Sequence, residues 1–148
     1  MDRSKRIKPV AKFAQQQERN AASELGKCRN NLNEQEKKLS ELTEYRDEYT
    51  RRFAVTNQTS VDARVMQDYR VFLQRLNEAI EMQRGLVNQE QEACNRQTEN
   101  WLGRRSRANA LDKVVQRYQQ TDAKKALKQE QREQDEHAAR TGQNKNID

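Results

Sequence analysis

The sequence predicts an all-α protein in which two long helices form an antiparallel coiled-coil hairpin, helix 2 being longer than helix 1. Three observations predict this fold class. Only 32% of the residues are hydrophobic and the mean hydropathy is -1.36, which is too polar for an ordinary globular core. Gly and Pro number only 4 and 1, too few for the turns of a sheet protein. Apolar residues recur at alternating spacings of three and four over two long segments, as on one face of a helix.

Helix 1 is expected over about residues 7–55, where one apolar seam continues without a break. Its positions are Ala11, Ala14, Glu18, Ala21, Leu25, Cys28, Leu32, Gln35, Leu39, Leu42, Arg46, Tyr49 and Phe53. After Phe53 the spacing fails, and Thr, Asn, Gln and Ser residues that favour turns follow. We therefore expect the turn at residues 56–60.

Helix 2 is expected over about residues 60–138, opened by a capping box between Thr59 and Asp62. Its seam is read as Val65, Tyr69, Phe72, Leu76, Ala79, Gln83, Leu86, Glu90, Ala93, Gln97, Trp101, Arg104, Ala108, Leu111, Val115 and Tyr118. After the expected helix end near residue 138, the residues are mostly polar, which predicts a frayed tail over residues 139–148. The whole chain, residues 1–148, is then a single coiled-coil hairpin.

A turn near residue 57 predicts that position i of helix 1 faces roughly position 116 minus i of helix 2. Cys28 is then opposite about residue 88, and Cys94 lies roughly 9 Å further along the helix axis. That spacing is too long for an easy disulfide, and no CxxC or His pair is present. Both cysteines are therefore expected to be reduced core residues.

The sequence offers no residue set for catalysis, so we expect no enzyme, no cofactor and no metal. Its one histidine, His137, lies in the polar tail, and no Gly-rich phosphate loop is present. No apolar stretch is long enough for a membrane span or a signal peptide, which predicts a cytosolic chain without direct membrane insertion. The net charge of +6 comes without aromatics arranged for base stacking, so nucleic acid is not an expected partner.

Aromatic residues are concentrated close to the predicted turn. Tyr45, Tyr49, Phe53, Tyr69 and Phe72 fall in one short window, and the hairpin brings them together. Two interpretations stay open. The aromatics form either a thicker core that prevents fraying at the turn, or a docking surface, for which Tyr is well suited.

A second apolar excess lies at the opposite end of the hairpin. Val10 and Phe13 are expected near Trp101 and Leu102. Leu111, Val114, Val115 and Tyr118 are expected to extend past any partner in helix 1, beside the basic Arg104, Arg105 and Arg107. Such a stripe indicates either another protein chain or an unstable helix end. The arginines indicate either an acidic protein surface or simply solvated cations.

Two segments that flank the turn carry a resemblance to a known family. They read Leu42-x-x-Tyr45-Arg46-x-x-Tyr49 and Tyr69-x-x-Phe72-x-x-x-Leu76-x-x-Ala79-Ile80. Together with the hairpin pattern over roughly residues 10–130, they resemble the FliJ family of flagellar type III export proteins. The resemblance implies a soluble, stalk-like rod that promotes assembly and activity of the hexameric flagellar export ATPase and links it to the export gate. It also implies contacts with export chaperones, and a cytoplasmic chain held at the inner face of the cell membrane by the export apparatus.

Two sets of partner-binding residues are expected, the first implied by the resemblance and the second by the apolar and basic excess at the end opposite the turn. Residues for the export-gate membrane protein FlhA map onto Leu42, Tyr45, Tyr49, Phe72, Leu76 and Ala79. Residues for the ATPase ring are expected to be Phe13, Trp101, Arg104, Arg105, Leu111, Val115 and Tyr118. The sequence departs from the family pattern at Lys38, where Gln is usual, and at Gln83, where His can occur.

Three other functions fit the same pattern. A generic coiled-coil chaperone or adaptor would bind many polypeptides, and the equivalent stalk protein of a virulence type III secretion system shares the hairpin. A self-associating coiled coil would form a four-helix dimer.

Overall fold

The computed structural model describes residues 3–147, and the side chains up to residue 144. Two α-helices make up this part of the chain: α1, Arg3–Thr56, and α2, Ala63–Ile147. No strand occurs among residues 3–147. The predicted fold class, two long helices with the second longer, is confirmed. The parts of the prediction that concern residues 1, 2 and 148 lie outside the described residues.

The helix ends differ from the expected ones. Helix α1 begins at Arg3, so Pro9 lies inside the helix, where its ring nitrogen has no hydrogen to donate. It ends beside Asn57, whose backbone N and side-chain Nδ2 donate to the Phe53 carbonyl at 3.1 and 2.9 Å. Helix α2 begins after Asp62, whose Oδ1 accepts from the backbone N of Arg64 at 3.4 Å. Asp62 is therefore the N-cap.

The expectation that Thr59 opens the second helix is wrong, because residues 57–62 form the connection and the helix begins at Ala63. At its other end α2 continues to Ile147, past the expected end near residue 138. The sequence over residues 124–140 explains the continuation, because Lys, Ala, Leu, Gln, Glu and Arg dominate it and all have high helix propensity.

The chain divides into two compact units. The turn unit comprises residues 21–101, and the terminal unit comprises residues 1–20 and 102–148, described here over residues 3–20 and 102–147. In each unit a segment of α1 packs antiparallel to a segment of α2, since early α1 residues contact late α2 residues.

The turn unit has a narrow core along the line where its helices meet. Buried residues of this core are Ala21, Leu25, Leu32, Leu76, Ile80 and Cys94. Ile80 is the most completely buried large side chain, at 1% exposure. The predicted α1 seam is confirmed here, because its members from Ala21 to Phe53 are all buried or half-buried.

The predicted α2 seam is confirmed at twelve of its sixteen positions, which are buried or half-buried; the exposed exceptions are Val65, Phe72, Leu86 and Arg104. The column that contains Tyr69, Leu76 and Gln83 faces α1, as expected. A neighbouring column that had not been expected is also covered: Leu73, Ile80, Val87 and Cys94. In the expected column, Ala79 and Ala93 are half-buried, and Phe72 and Leu86 are each 38% exposed. Adjacent residues point about 100° apart on a helix, so α1 covers only one of these columns well.

The predicted register is also wrong. Cys28 and Cys94, expected to be roughly 9 Å apart along the axis, are neighbours, close enough for Cys28 to raise the pKa of the Cys94 thiol. Gln83 Nε2 donates to the Gln35 carbonyl at 3.0 Å and to Gln35 Oε1 at 2.8 Å. The residue numbers in these pairs add to 122 and 118, not 116. The connection is centred between residues 59 and 60, later than assumed, and this moves each α2 partner to a higher number.

The terminal unit has a core of small residues. Ala11 and Ala14 of α1 are buried, as are Ala108 and Val115 of α2. At the start of α1, Ser4 Oγ donates to Asp122 Oδ2 at 2.9 Å. These contacts hold the first turns of α1 against α2.

The expectation that Val115 and Tyr118 extend past any partner in α1 is wrong. Val115 is 8% exposed, and the Arg3 guanidinium carbon lies 5.8 Å from the centre of the Tyr118 ring. The cause is that α1 begins at Arg3 and therefore reaches Asp122. Beyond Asp122, residues 123–144 of α2 are exposed at every position.

Candidate partner-binding sites

The turn unit contains a connected cluster of five aromatic rings. Phe53 stacks on Tyr69 at 3.7 Å between ring centres, and Tyr69 stacks on Tyr49 at 5.7 Å. The Tyr49 ring centre lies 4.6 Å from that of Phe72 and 6.5 Å from that of Tyr45, and Tyr45 and Phe72 meet edge to face with their centres 6.4 Å apart. Such pairs stabilise one another beyond the area they bury, so the cluster is preorganised.

The six residues expected to bind the export gate differ in exposure. Tyr45 is 52% exposed and Phe72 is 38% exposed, so both present ring surface to the outside. Leu42, Tyr49 and Ala79 are half-buried. Leu76 is 8% exposed and belongs to the core. The structure thus brings the set together, but two residues provide most of its open aromatic surface.

A groove of about 550 Å³ in the turn unit is lined by two of the expected residues, Leu42 and Ala79. Its remaining lining residues are Met82, Gln83, Gly85, Leu86 and Gln89. Met82 is 78% exposed, which makes it the most open large apolar side chain of this part of the surface. Met82 was not among the residues expected from the sequence, and Leu86 was expected in the core. A usable signal for Met82 was present, because Ala79, Met82 and Leu86 are spaced by three and four residues along one face of α2.

Arg46 has two polar contacts beside the aromatic cluster. Its Nε lies 3.3 Å from Asp47 Oδ1, and its Nη1 donates to Asn77 Oδ1 at 3.4 Å. Exposed ion pairs of this kind contribute little to folding. Residues 41–48 contain four acidic residues and one basic residue, so the open surface of Tyr45 has acidic neighbours.

The residues expected to bind the ATPase ring are distributed over both units. Trp101 belongs to the turn unit and is half-buried. The others belong to the terminal unit, where Phe13 is 65% exposed and Arg104 and Arg105 are exposed. Leu111 and Tyr118 are half-buried, and Val115 is buried. Phe13 is therefore the main open apolar group of this set in the terminal unit.

The terminal unit carries most of the positive charge. Residues 3–20 contain six basic and one acidic residue, and residues 102–122 contain five basic and two acidic residues, a net charge of +8 over both segments. Residues 21–101 contain 12 basic and 14 acidic residues, a net charge of −2. The two units therefore present surfaces of opposite net charge.

Three further properties bear on function. Burial raises the pKa of the Cys94 thiol to about 11, and the neighbouring Cys28 adds to the rise, so this thiol is not activated as a nucleophile. Among the described residues, no group of His, Cys, Asp or Glu side chains is arranged to hold a metal ion. Across residues 3–147, neither helix includes a segment with the length and apolarity needed to cross a membrane.

The fold and the exposed clusters define the class of protein: an all-helical hairpin with an open aromatic surface in one unit and a strongly basic second unit. The sequence pattern of the flagellar FliJ protein family matches residues 3–146. The chain belongs to this family, as its turn-flanking segments had indicated, and is a component of the flagellar export apparatus. The family is associated with export and is not known for enzymatic activity. No curated protein and no solved structure matches the chain.

Proposed function

We propose that this chain is the stalk-like component that couples the hexameric flagellar export ATPase to the export gate. In this proposal the turn unit binds the gate protein FlhA, and the terminal unit enters the ATPase ring. The chain itself catalyses no reaction, and it lies in the cytoplasm at the inner face of the membrane through these partners. Export chaperones are further proposed partners.

One observation carries the gate-binding part: α2 has a second apolar column that α1 covers only in part. Phe72 and Leu86 of this column are each 38% exposed, and Tyr45 of α1 stands beside Phe72. Exposed aromatic groups held rigidly by neighbours are typical of interface hot spots. Tyr45 and Phe72 are proposed as the direct contacts, with Leu42, Tyr49 and Ala79 completing the surface. Buried Leu76 supports it from below.

The gate proposal is tested by titrating purified FlhA with Tyr45→Ala and Phe72→Ala variants. Each substitution is expected to weaken binding about tenfold or more, the usual loss for a central aromatic anchor. Val55→Ala is the matched control, because Val55 is 68% exposed and lies outside the cluster. Unfolding curves measured in parallel separate lost contact from lost folding. Unchanged affinity in both aromatic variants would contradict the gate assignment.

The ring-binding part is supported by the exposed Phe13 and by the positive charge of the terminal unit. Long-range attraction steers association when the partner carries the opposite charge, while the apolar group adds contact. Trp101, Arg104, Arg105, Leu111, Val115 and Tyr118 complete the proposed set, Val115 as a core residue that holds the helix pair together.

ATPase stimulation tests this part. Phe13→Ala and Arg104→Glu are expected to lower stimulation of the purified ATPase, and Arg104→Glu should also slow association most strongly at low salt. Val55→Ala again serves as the control. If both variants stimulate as well as the unchanged chain, the terminal unit does not bind the ring.

A generic chaperone is the second candidate, favoured by the very exposed Met82, because flexible Met side chains adapt to many partners. The two functions differ in selectivity. A chaperone binds a reduced, unfolded test protein whether or not the ATPase is present, whereas a stalk binds the assembled ATPase and ignores unfolded protein.

A further inference from the structure

A column of three lysines follows the first turns of α1 in the terminal unit. Lys5, Lys8 and Lys12 are spaced by three and four residues, so their side chains lie along one face of the helix. All three are exposed. They form one wall of a groove of about 380 Å³.

The floor of this groove is apolar. Ala11 and Val115 line it, with exposures of 6% and 8%, and Pro9 adds a ring that cannot donate a hydrogen bond. Small residues on a floor let another backbone approach closely. The groove also runs between two antiparallel helices, which is where a third helix packs.

One acidic residue, Asp112, lines the groove together with the lysines. Its Oδ2 accepts from Gln116 Nε2 at 3.3 Å, which draws the carboxylate toward its own helix. The groove therefore has three positive charges and one negative charge, with an apolar strip between its walls.

We propose that this groove binds an acidic amphipathic helix of a partner protein, with carboxylates along the lysine column and small apolar side chains on Ala11 and Val115. The spacing of the lysines matches acidic residues spaced by three and four on such a helix. A nucleic acid would use the cations but leave the apolar floor unused, and a flat membrane would not reach it. The groove and the class of its ligand are argued independently of the proposed function. The proposed function supplies only the candidate partner, the ATPase.

The test uses the full chain and a fluorescein-labelled acidic amphipathic peptide of about 20 residues, long enough for five turns of helix. A peptide of identical composition with scrambled order is the first control. Lys8→Glu with Lys12→Glu is expected to weaken peptide binding about tenfold, through lost attraction and new repulsion. Lys124→Glu with Lys125→Glu, in the exposed part of α2, changes the net charge equally and is expected to alter affinity less than about twofold.

Asp112→Asn gives a prediction of opposite sign, because removing the one negative charge of the groove should strengthen binding about twofold to threefold. Circular dichroism checks that all variants remain helical. Binding that fails altogether, that is equal for the scrambled peptide, or that is lost equally in the two lysine pairs overturns the proposal. So does a preference for an oligodeoxythymidine or for phosphatidylglycerol vesicles over the peptide. The assay contains no ATPase, so its failure leaves the stalk proposal to be judged by ATPase stimulation.

Discussion

Replacing Ile80 with Ala should destabilise the protein much more than the same truncation at Leu86. Ile80 is 1% exposed, and losing three buried carbons at about 0.8 kcal/mol each, plus a small cavity term, costs about 3 kcal/mol. Leu86 also loses three carbons, but it is 38% exposed, so the cost falls to about 1.5 kcal/mol. The difference between the two variants is the quantity that matters, because unfolded-state effects largely cancel in it.

Urea unfolding followed by far-UV circular dichroism measures both free energies of unfolding. Ile80→Val is a third, milder variant, expected to cost about 1 kcal/mol. If Leu86→Ala costs as much as Ile80→Ala, or more, the column that contains Leu86 faces α1. The exposed apolar surface of the turn unit would then be wrongly assigned.

The remaining predictions concern glycines, a thiol and the end of α2. Gly26→Ala and Gly103→Ala should each stabilise the protein by about 0.5–1 kcal/mol, because an added Cβ meets no atom within 4 Å and Ala favours the helix. The raised pKa of Cys94 means that the folded state favours the neutral thiol. The contribution of this neutral thiol to the free energy of unfolding is therefore fully present below pH 9.0, and it is lost as the pH rises through about 11. Cys94→Ala should flatten this part of a stability-against-pH curve. Deleting residues 123–148 should lower total helix content while leaving the urea midpoint nearly unchanged, because residues 123–144 are exposed throughout.

The sequence was sufficient for the fold class and for the face of α1. In that helix the seam from Ala21 to Phe53 has few apolar competitors on other faces, so periodicity alone identifies the covered side. The turn-flanking motif likewise placed Tyr45 and Phe72 in one cluster, because five aromatic residues lie within residues 45–72, and a shift of a few positions still leaves their rings side by side.

Periodicity could not decide the face of α2. Two apolar columns flank the line through Tyr69, Leu76 and Gln83, and both have heptad spacing. One contains Leu73 and Ile80, the other Phe72 and Leu86. Which column is covered depends on the position and rotation of α1, and neither is encoded in the pattern of α2 alone. The register error at Cys28 and Cys94 has a related cause. The pattern of α2 alone does not give the centre of the connection, and a small change in that centre changes which α1 residue faces each α2 residue.

The choice of column also accounts for the candidate gate-binding surface. A two-helix unit has only one line of contact, so beside the column through Leu76 it can bury one of the two flanking apolar columns well, but not both. Burying the aliphatic column around Ile80 leaves Phe72 and Leu86 partly open, and Tyr45 then adds a ring from α1. These apolar groups contribute less to the free energy of folding than they would if they were fully buried. Exposed apolar surface of this kind is typical of an interaction site. Core packing and partner binding are thus linked through α2: a substitution that rotates this helix to cover Phe72 should stabilise the isolated chain and weaken gate binding together.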